Sequence, residues 1–308
     1  MIADADPNPL EGSECWRQTD MVSITDHEFS LFQKLIRREA GISLSPAKKS
    51  LLQARLGSRL RELGFNSYRA YYRHVIDERG GELAEMIDRV STNETQFFRE
   101  PRHFEFLSRI VVHDWAAQAA AGYRPRQIRA WSAGCSSGEE PYSLAMLLRR
   151  QFETSAGWDI DILATDISTR VLARARNGIW PIAKAREIPP VYLKRFMLKG
   201  TGRQEGSMKA AAEIGSTIRF ERLNLNDETY PMVGLFDLIL CRNVLIYFDQ
   251  QRRAQAIDRL LRHLRPGGFF FVGHSERLVG LTNKVASVLP TIYVRIGENE
   301  RWSQGRVR

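Results

Sequence analysis

Residues 131–142 read Trp131-Ser132-Ala133-Gly134-Cys135-Ser136-Ser137-Gly138-Glu139-Glu140-Pro141-Tyr142, and this stretch decides the fold. It joins an apolar run, Ile128-Arg129-Ala130-Trp131, to a helical one from Ser143 to Leu148. Only Gly, Ala and Ser leave room for a backbone to pass close to a ligand at the tip of a strand. The stretch is therefore the nucleotide-binding corner of an α/β fold. The pair Glu139-Glu140 tells against a phosphate ligand, because carboxylates oppose the attraction of a helix N-terminus for an anion. The expected ligand is neutral or cationic.

Outward from this corner, strands are expected at Ile128–Ala133, Ile160–Thr165, Ile218–Leu223, Phe236–Cys241, Phe269–Gly273 and Thr291–Ile296. Helical patterns lie between most of them, which predicts a doubly wound, mostly parallel sheet covered on both faces. The last strand follows without a clear helical crossover and is open to an antiparallel course. The interval 177–215 is too long for a simple crossover, and Gly200, Gly202 and Gly206 predict a small inserted subdomain with tight turns.

Ahead of the sheet, Thr25-Asp26-His27-Glu28 is a capping box opening an amphipathic run to Ala40. Pro46 starts a second helix with Leu52, Leu56, Leu60 and Leu63 at helical spacing, and two more helical stretches run to about Val90. This predicts an all-helical domain over 22–90 and a linker over 91–102. The sheet domain then covers 103–296, opening with a helix from about His103 to Ala121, and the ends, 1–21 and 297–308, are expected to be disordered. Between Lys34 and Arg79 there are eleven basic and four acidic residues. Lys48, Arg55 and Arg59 form a stripe beside the leucine face, read either as a docking surface or as a solvated face.

The 308 residues, 43% hydrophobic and 26% charged, have the make-up of a soluble globular protein. No apolar run approaches the ~20 residues that span a bilayer, and the acidic first twenty residues are no signal peptide, so a cytoplasmic protein without membrane insertion is expected. Cys15, Cys135 and Cys241 have no ligand-like spacing, and the latter two are read as buried small thiols at strand ends. The six histidines form no metal-type pair, so no metal is expected. A net charge of +9 points to an acidic partner.

Ligands of doubly wound sheets bind outside the carboxyl ends of the strands. Three strand ends meet there: the loop 133–138, Thr165-Asp166, and the polar residues from Arg242 to Tyr247. A dinucleotide oxidoreductase would need G-x-G-x-x-G, which Gly134 and Gly138 do not supply. A methyl donor with a ribose for Asp166, an amino-acid tail and a sulfonium cation suits the features better. At the joint, Phe97 and Phe98 read as cement between domains, whereas Asn93, Thr95 and Arg99 offer polar groups to the crevice.

Taken together, Asn93–Glu100, Trp131–Tyr142, Asp166, Phe196–Gly206 and Arg242–Asp249 resemble the CheR family, S-adenosylmethionine-dependent methyltransferases that esterify glutamates on chemotaxis receptors. The likeness runs from about Ile24 to Ile296. It implies S-adenosylmethionine as co-substrate, held by Asn93, Thr95, Arg99, Glu140, Asp166, Asn224, Leu225, Arg242 and Asn243, with Arg99 and Tyr247 at the reacting centre. Tyr247 is equally open to reading as a packing aromatic with a bonded hydroxyl. The resemblance also implies that Lys48, Arg55 and Arg59 face acidic receptor helices, and that the chain works as a monomer. The insert is similar to the small β-subdomain that grips a receptor peptide in some members. Lys209-Ala210-Ala211-Ala212-Glu213 departs from that pattern, being helix-leaning where a strand is expected. Two other classes stay open: a nucleic-acid methyltransferase, although no nucleic-acid partner is expected in a chain without a base-stacking platform, and a non-catalytic donor-binding signalling module.

Overall fold

The computed structural model describes residues 23–78, 81–152, 156–278 and 280–297. The disorder expected of 1–21, and of 297–308 from residue 298 onward, lies outside them.

Four helices form the first layer: α1 (Asp26–Ala40), α2 (Lys49–Glu62, after a 3₁₀ turn Pro46–Lys48), α3 (Tyr68–Asp77) and α4 (Gly81–Val90). The capping box is complete, with Glu28 N donating to Thr25 Oγ1 and Thr25 N to Glu28 Oε2. Gly41 ends α1 at φ 73°, and its missing side chain lets the chain turn against Asn226 and Phe248. Leu52, Leu56 and Leu60 pack with Phe32, Ile36, Tyr68 and Tyr71 into one buried core.

A helical stretch, α5 (Pro101–Phe106) and α6 (Val112–Ala120), leads into the sheet domain. The single helix expected from about His103 to Ala121 instead carries a π turn at Leu107–Val111 between them. The main sheet contains β1 (Gln127–Ala133), β2 (Asp159–Asp166), β6 (Ile218–Arg222), β7 (Phe236–Cys241), β8 (Leu264–Val272), β9 (Val285–Leu289) and β10 (Ile292–Arg295). Its strand order is β6-β2-β1-β7-β8-β10-β9. The first five strands are parallel, and β10 runs antiparallel to both β8 and β9. Helices α7 (Glu139–Gln151), α8 (Thr169–Asn177) and α11 (Gln250–Arg262) cover the faces. The chain leaves β1 for β2 on one side and later returns to β7 on the other, so a crevice opens at their carboxyl ends.

The insert is a three-stranded antiparallel sheet, β3 (Ile179–Pro181), β5 (Ser207–Ala210) and β4 (Met197–Lys199), ordered β3-β5-β4. Short helices α9 (Pro190–Phe196) and α10 (Ala212–Gly215) flank it. Lys209 and Ala210, expected to lean helical, pair with Ile179 and Leu198 or Met197 on the two neighbouring strands. Strand pairing on both sides overrides the weak local preference, and the helix starts only at Ala212. The sequence also gave no sign of β9, which lies at the edge of the main sheet.

Candidate active site

The nucleotide-binding loop starts where β1 ends. Gly134 N and Cys135 N both donate to Thr165 O, at 2.8 and 2.9 Å, which binds the loop to the tip of β2. Gly134 has φ 83°, and a Cβ there would collide with Val244 Cγ2. Ser136, at φ 51°, turns its amide to Asp166 Oδ2 (2.9 Å), and its hydroxyl donates to Asn93 O (2.7 Å). Thus one loop links β1, β2 and the interdomain joint.

These segments enclose a cavity of about 450 Å³ between the helical and sheet domains, within the size range of small-ligand sites. All nine residues expected to hold the donor line it: Asn93, Thr95, Arg99, Glu140, Asp166, Asn224, Leu225, Arg242 and Asn243. Tyr247, Lys48 and Arg55 line it too, whereas Arg59 does not. Ile167, Leu223 and Leu225 give one wall an apolar surface. Burial pushes the Asp166 carboxyl above its ordinary value, against the pull of the Ser168 and Ser136 amides.

Glu140 is not a free anion. Its Oε1 accepts from Ser132 Oγ at 2.6 Å and its Oε2 from Arg242 Nε at 2.6 Å. Glu139 is likewise paired, with Lys184 Nζ at 2.6 Å and Ser137 Oγ at 2.7 Å. Each carboxylate of the acidic flank thus already has a cation against it. Arg242, 2% exposed, also donates to Arg99 O at 2.6 Å and lies 3.7 Å from Glu100. The residue expected to face the donor is thereby also a brace between β7, α7 and the joint. Asn224 is braced as well, donating to Glu39 O (2.6 Å) and accepting from Asn226 N (3.0 Å).

The basic stripe of α2 splits. Arg59 is turned inward, donating to Glu82 at 3.0 and 2.6 Å and to Glu62 at 3.1 Å. It holds the buried Glu82 carboxylate, which Tyr71 also contacts at 2.7 Å, so it is not available as a docking cation. Arg55 donates to Val90 O and Thr92 Oγ1, fixing the start of the linker. Lys48 is exposed. The Tyr247 hydroxyl has no hydrogen-bond partner among the described residues, while its ring packs against the sheet-domain core. Phe97 and Phe98, expected to cement the two domains, are instead buried in the core of the sheet domain, meeting Trp180 at 5.0 Å and Tyr192 at 4.9 Å in the insert. Cys135 and Cys241 are buried, and burial drives both thiols well above their ordinary range. No group of His, Cys, Asp or Glu among the described residues could hold a metal ion.

Sequence reasoning missed Ser132, Lys184, His103 and Glu276. His103, packed beside Arg242, is pushed down to about 4 by burial and by that cation, so it is neutral near pH 7. Glu276 follows the end of β8 in the run Gly273-His274-Ser275-Glu276, a polar cluster after an apolar strand that the strand-end rule would have flagged.

A doubly wound sheet with this cavity at its reversal point is the architecture of nucleotide- and nucleoside-binding proteins. Residues 93–294 match the family described as CheR methyltransferase, SAM binding domain, and residues 27–91 match CheR methyltransferase, all-alpha domain. Chemotaxis protein methyltransferase 2 of Pseudomonas aeruginosa is 36% identical over 289 residues, covering 93% of this chain and 97% of its own. The chemotaxis protein methyltransferase of Borreliella burgdorferi is 38% identical, covering 88% and 95%. That of Escherichia coli is 36% identical, covering 90% and 93%. The chain belongs to the CheR methyltransferase family, and S-adenosylmethionine is its methyl donor.

The residues present fit that donor. Asn243 lines the cavity, and its buried Oδ1 has no partner among the described residues, an acceptor suited to the donor's ammonium or hydroxyl groups. The glycine corner gives close backbone approach, and Asp166 lines the cavity at the tip of β2. No described helix is long and apolar enough to cross a membrane.

Proposed function

We propose that this enzyme methylates glutamate side chains on the cytoplasmic helices of chemoreceptors, acting in the cytoplasm as a monomer: the donor's sulfur–methyl bond breaks as the carboxylate oxygen–methyl bond forms, giving γ-methyl esters and S-adenosylhomocysteine. The observation that supports this most is the sharing of one cavity by both domains. Lys48 and Arg55 of the helical domain open onto the same space as Asp166, Asn243 and Tyr247 of the sheet domain. An acidic helix held at the basic side thus brings a carboxylate to the donor side.

Asn93, Thr95, Arg99, Glu140, Asp166, Asn224, Leu225, Arg242 and Asn243 hold the donor in this reading. When bound, S-adenosylmethionine supplies an electrophilic methyl on a sulfonium sulfur. A glutamate with an ordinary value of about 4.3 is already ionised at neutral pH, so the chain needs no general base. Its residues instead orient the carboxylate and exclude water: Arg99 and the free Tyr247 hydroxyl direct the oxygen, and the apolar wall keeps the pocket dry. Charge is neutralised as the ester forms, which a dry pocket favours.

The test is transfer of labelled methyl from S-adenosylmethionine to purified chemoreceptor cytoplasmic fragments. Base-labile label on glutamate is the expected result. Label on nucleic acid alone, or on no chemoreceptor, overturns the reading.

A further inference from the structure

The segment after β7, Asn243 to Tyr247, contributes Asn243, Val244, Ile246 and Tyr247 to the cavity wall. Within the segment Tyr247 N donates to Val244 O at 3.2 Å, which closes the turn but does not hold Asn243. Asn243 sits at φ 60°, a left-handed conformation unfavourable for a residue with a Cβ, and the chain then makes a 3₁₀ turn at Leu245–Tyr247.

The explanation lies on the neighbouring strand. Glu276, 1% exposed and absent from the cavity lining, reaches under the segment from the turn after β8. Its Oε2 accepts from Asn243 N at 2.8 Å and Gly273 N at 2.6 Å, and its Oε1 from Ile246 N at 3.1 Å. One buried carboxylate thus holds amides of both strand-end loops, and a carboxylate binds amides more strongly than a neutral acceptor does. The loops interlock: a Cβ on Gly273 would lie 2.6 Å from Asn243 Nδ2 and 2.8 Å from Asn243 N. Glu276 N in turn donates to Gly273 O at 2.8 Å, so the carboxylate is itself held in a turn.

We propose that Glu276 is a positioning residue for methyl transfer, acting on the donor through the Asn243–Tyr247 segment that it holds in shape. It fixes the backbone of Asn243, a residue of the cavity wall, and it sets Val244 against Gly134, so the two donor-binding loops stay in register.

The test is calorimetric binding of S-adenosylhomocysteine to the full chain, which needs no receptor and so is independent of the glutamate reading. Glu276→Gln keeps the volume but replaces an acceptor oxygen with an amino group facing amide donors. The expected dissociation constant rises about tenfold or more. Asn243→Ala weakens binding as well, and the double variant binds about as poorly as the weaker single, because both act through one segment. An unchanged dissociation constant in the folded Gln variant, or fully additive losses, overturns the proposal. If the Gln variant does not fold, Glu276→Asp keeps the charge and withdraws it by one methylene. It is expected to lose affinity too, and wild-type affinity in that variant overturns the proposal.

Discussion

Arg242→Met gives the sharpest test of how the site is braced. The substitution keeps the apolar stem and removes a guanidinium that is 2% exposed and donates at 2.6 Å to both Glu140 Oε2 and Arg99 O. Glu140 is then left with the Ser132 hydroxyl alone. Breaking a buried pair by removing one partner costs about 3–5 kcal/mol, because the surviving charge is uncompensated. For a domain of roughly 200 residues, each kcal/mol moves the melting temperature by about 2–4 °C, so the expected fall is roughly 6–20 °C. Thermal denaturation followed by circular dichroism measures it. The companion Arg242→Met/Glu140→Met removes both charges and should recover more than half of the loss. Donor affinity should stay weak, since the hold on the Arg99 carbonyl is still absent. A single variant that melts within about 2 °C of the wild type would refute the reasoning, as would a double variant less stable than the single.

Asp166→Asn should weaken S-adenosylhomocysteine binding strongly in a folded protein. Burial raises the Asp166 carboxyl, so acid protonates it earlier than a free aspartate. Wild-type affinity should therefore fall on acidification before a free aspartate would titrate, and the Asn variant should lack that component. The same shift makes Asp166 contribute stability at acid pH that is lost as pH rises through its folded value. An identical pH slope in both proteins would remove Asp166 from the site. Tyr247→Phe should lower kcat at least tenfold with donor affinity unchanged, measured by methyl transfer and calorimetry; unchanged kcat would leave the hydroxyl without a role. Arg59→Ala should act on stability, lowering the melting temperature by leaving buried Glu82 short of its partner, with receptor KM unchanged in the folded protein. Lys48→Glu should do the reverse. Raised receptor KM in folded Arg59→Ala would restore Arg59 as a docking residue.

The nucleotide-binding corner and the strand-helix alternation were legible because each rests on a local pattern. Thr25 and Glu28 cap one another three residues apart, and Phe236 to Cys241 is buried throughout. What stayed hidden depends on partners distant in sequence. Arg59 finds Glu82 across 23 positions, Glu139 finds Lys184 across 45, and Glu140 finds Arg242 across 102. No periodicity reports such pairings, so a paired acidic flank and an inward arginine looked like free charge. Lys209 and Ala210 took the strand that their neighbours imposed, and β9 has no fully buried residue to show an apolar alternation. The cavity residues were easier to name than to understand. Their positions follow from strand ends, but the bracing of Arg242 and Asn224 follows from side-chain geometry alone.

The seam between the domains has a thermodynamic consequence. Ser43 N donates to Tyr247 O at 2.7 Å, Ile42 bridges to Phe248, Asn224 and Asn226 cap the carbonyls of Glu39 and Arg38, and Arg37 pairs with Asp249. Ala40, Ile42 and Asn93 on one side and Asp166 and Asn243 on the other wall the same cavity. Ligand occupancy and domain docking are therefore linked equilibria: a donor that touches both walls must leave before the helical domain can separate. Donor at about 100 times its dissociation constant adds roughly 2.7 kcal/mol to the docked state by mass action. Methyl-donor concentration thus adds to how firmly the helical domain is held against the sheet domain.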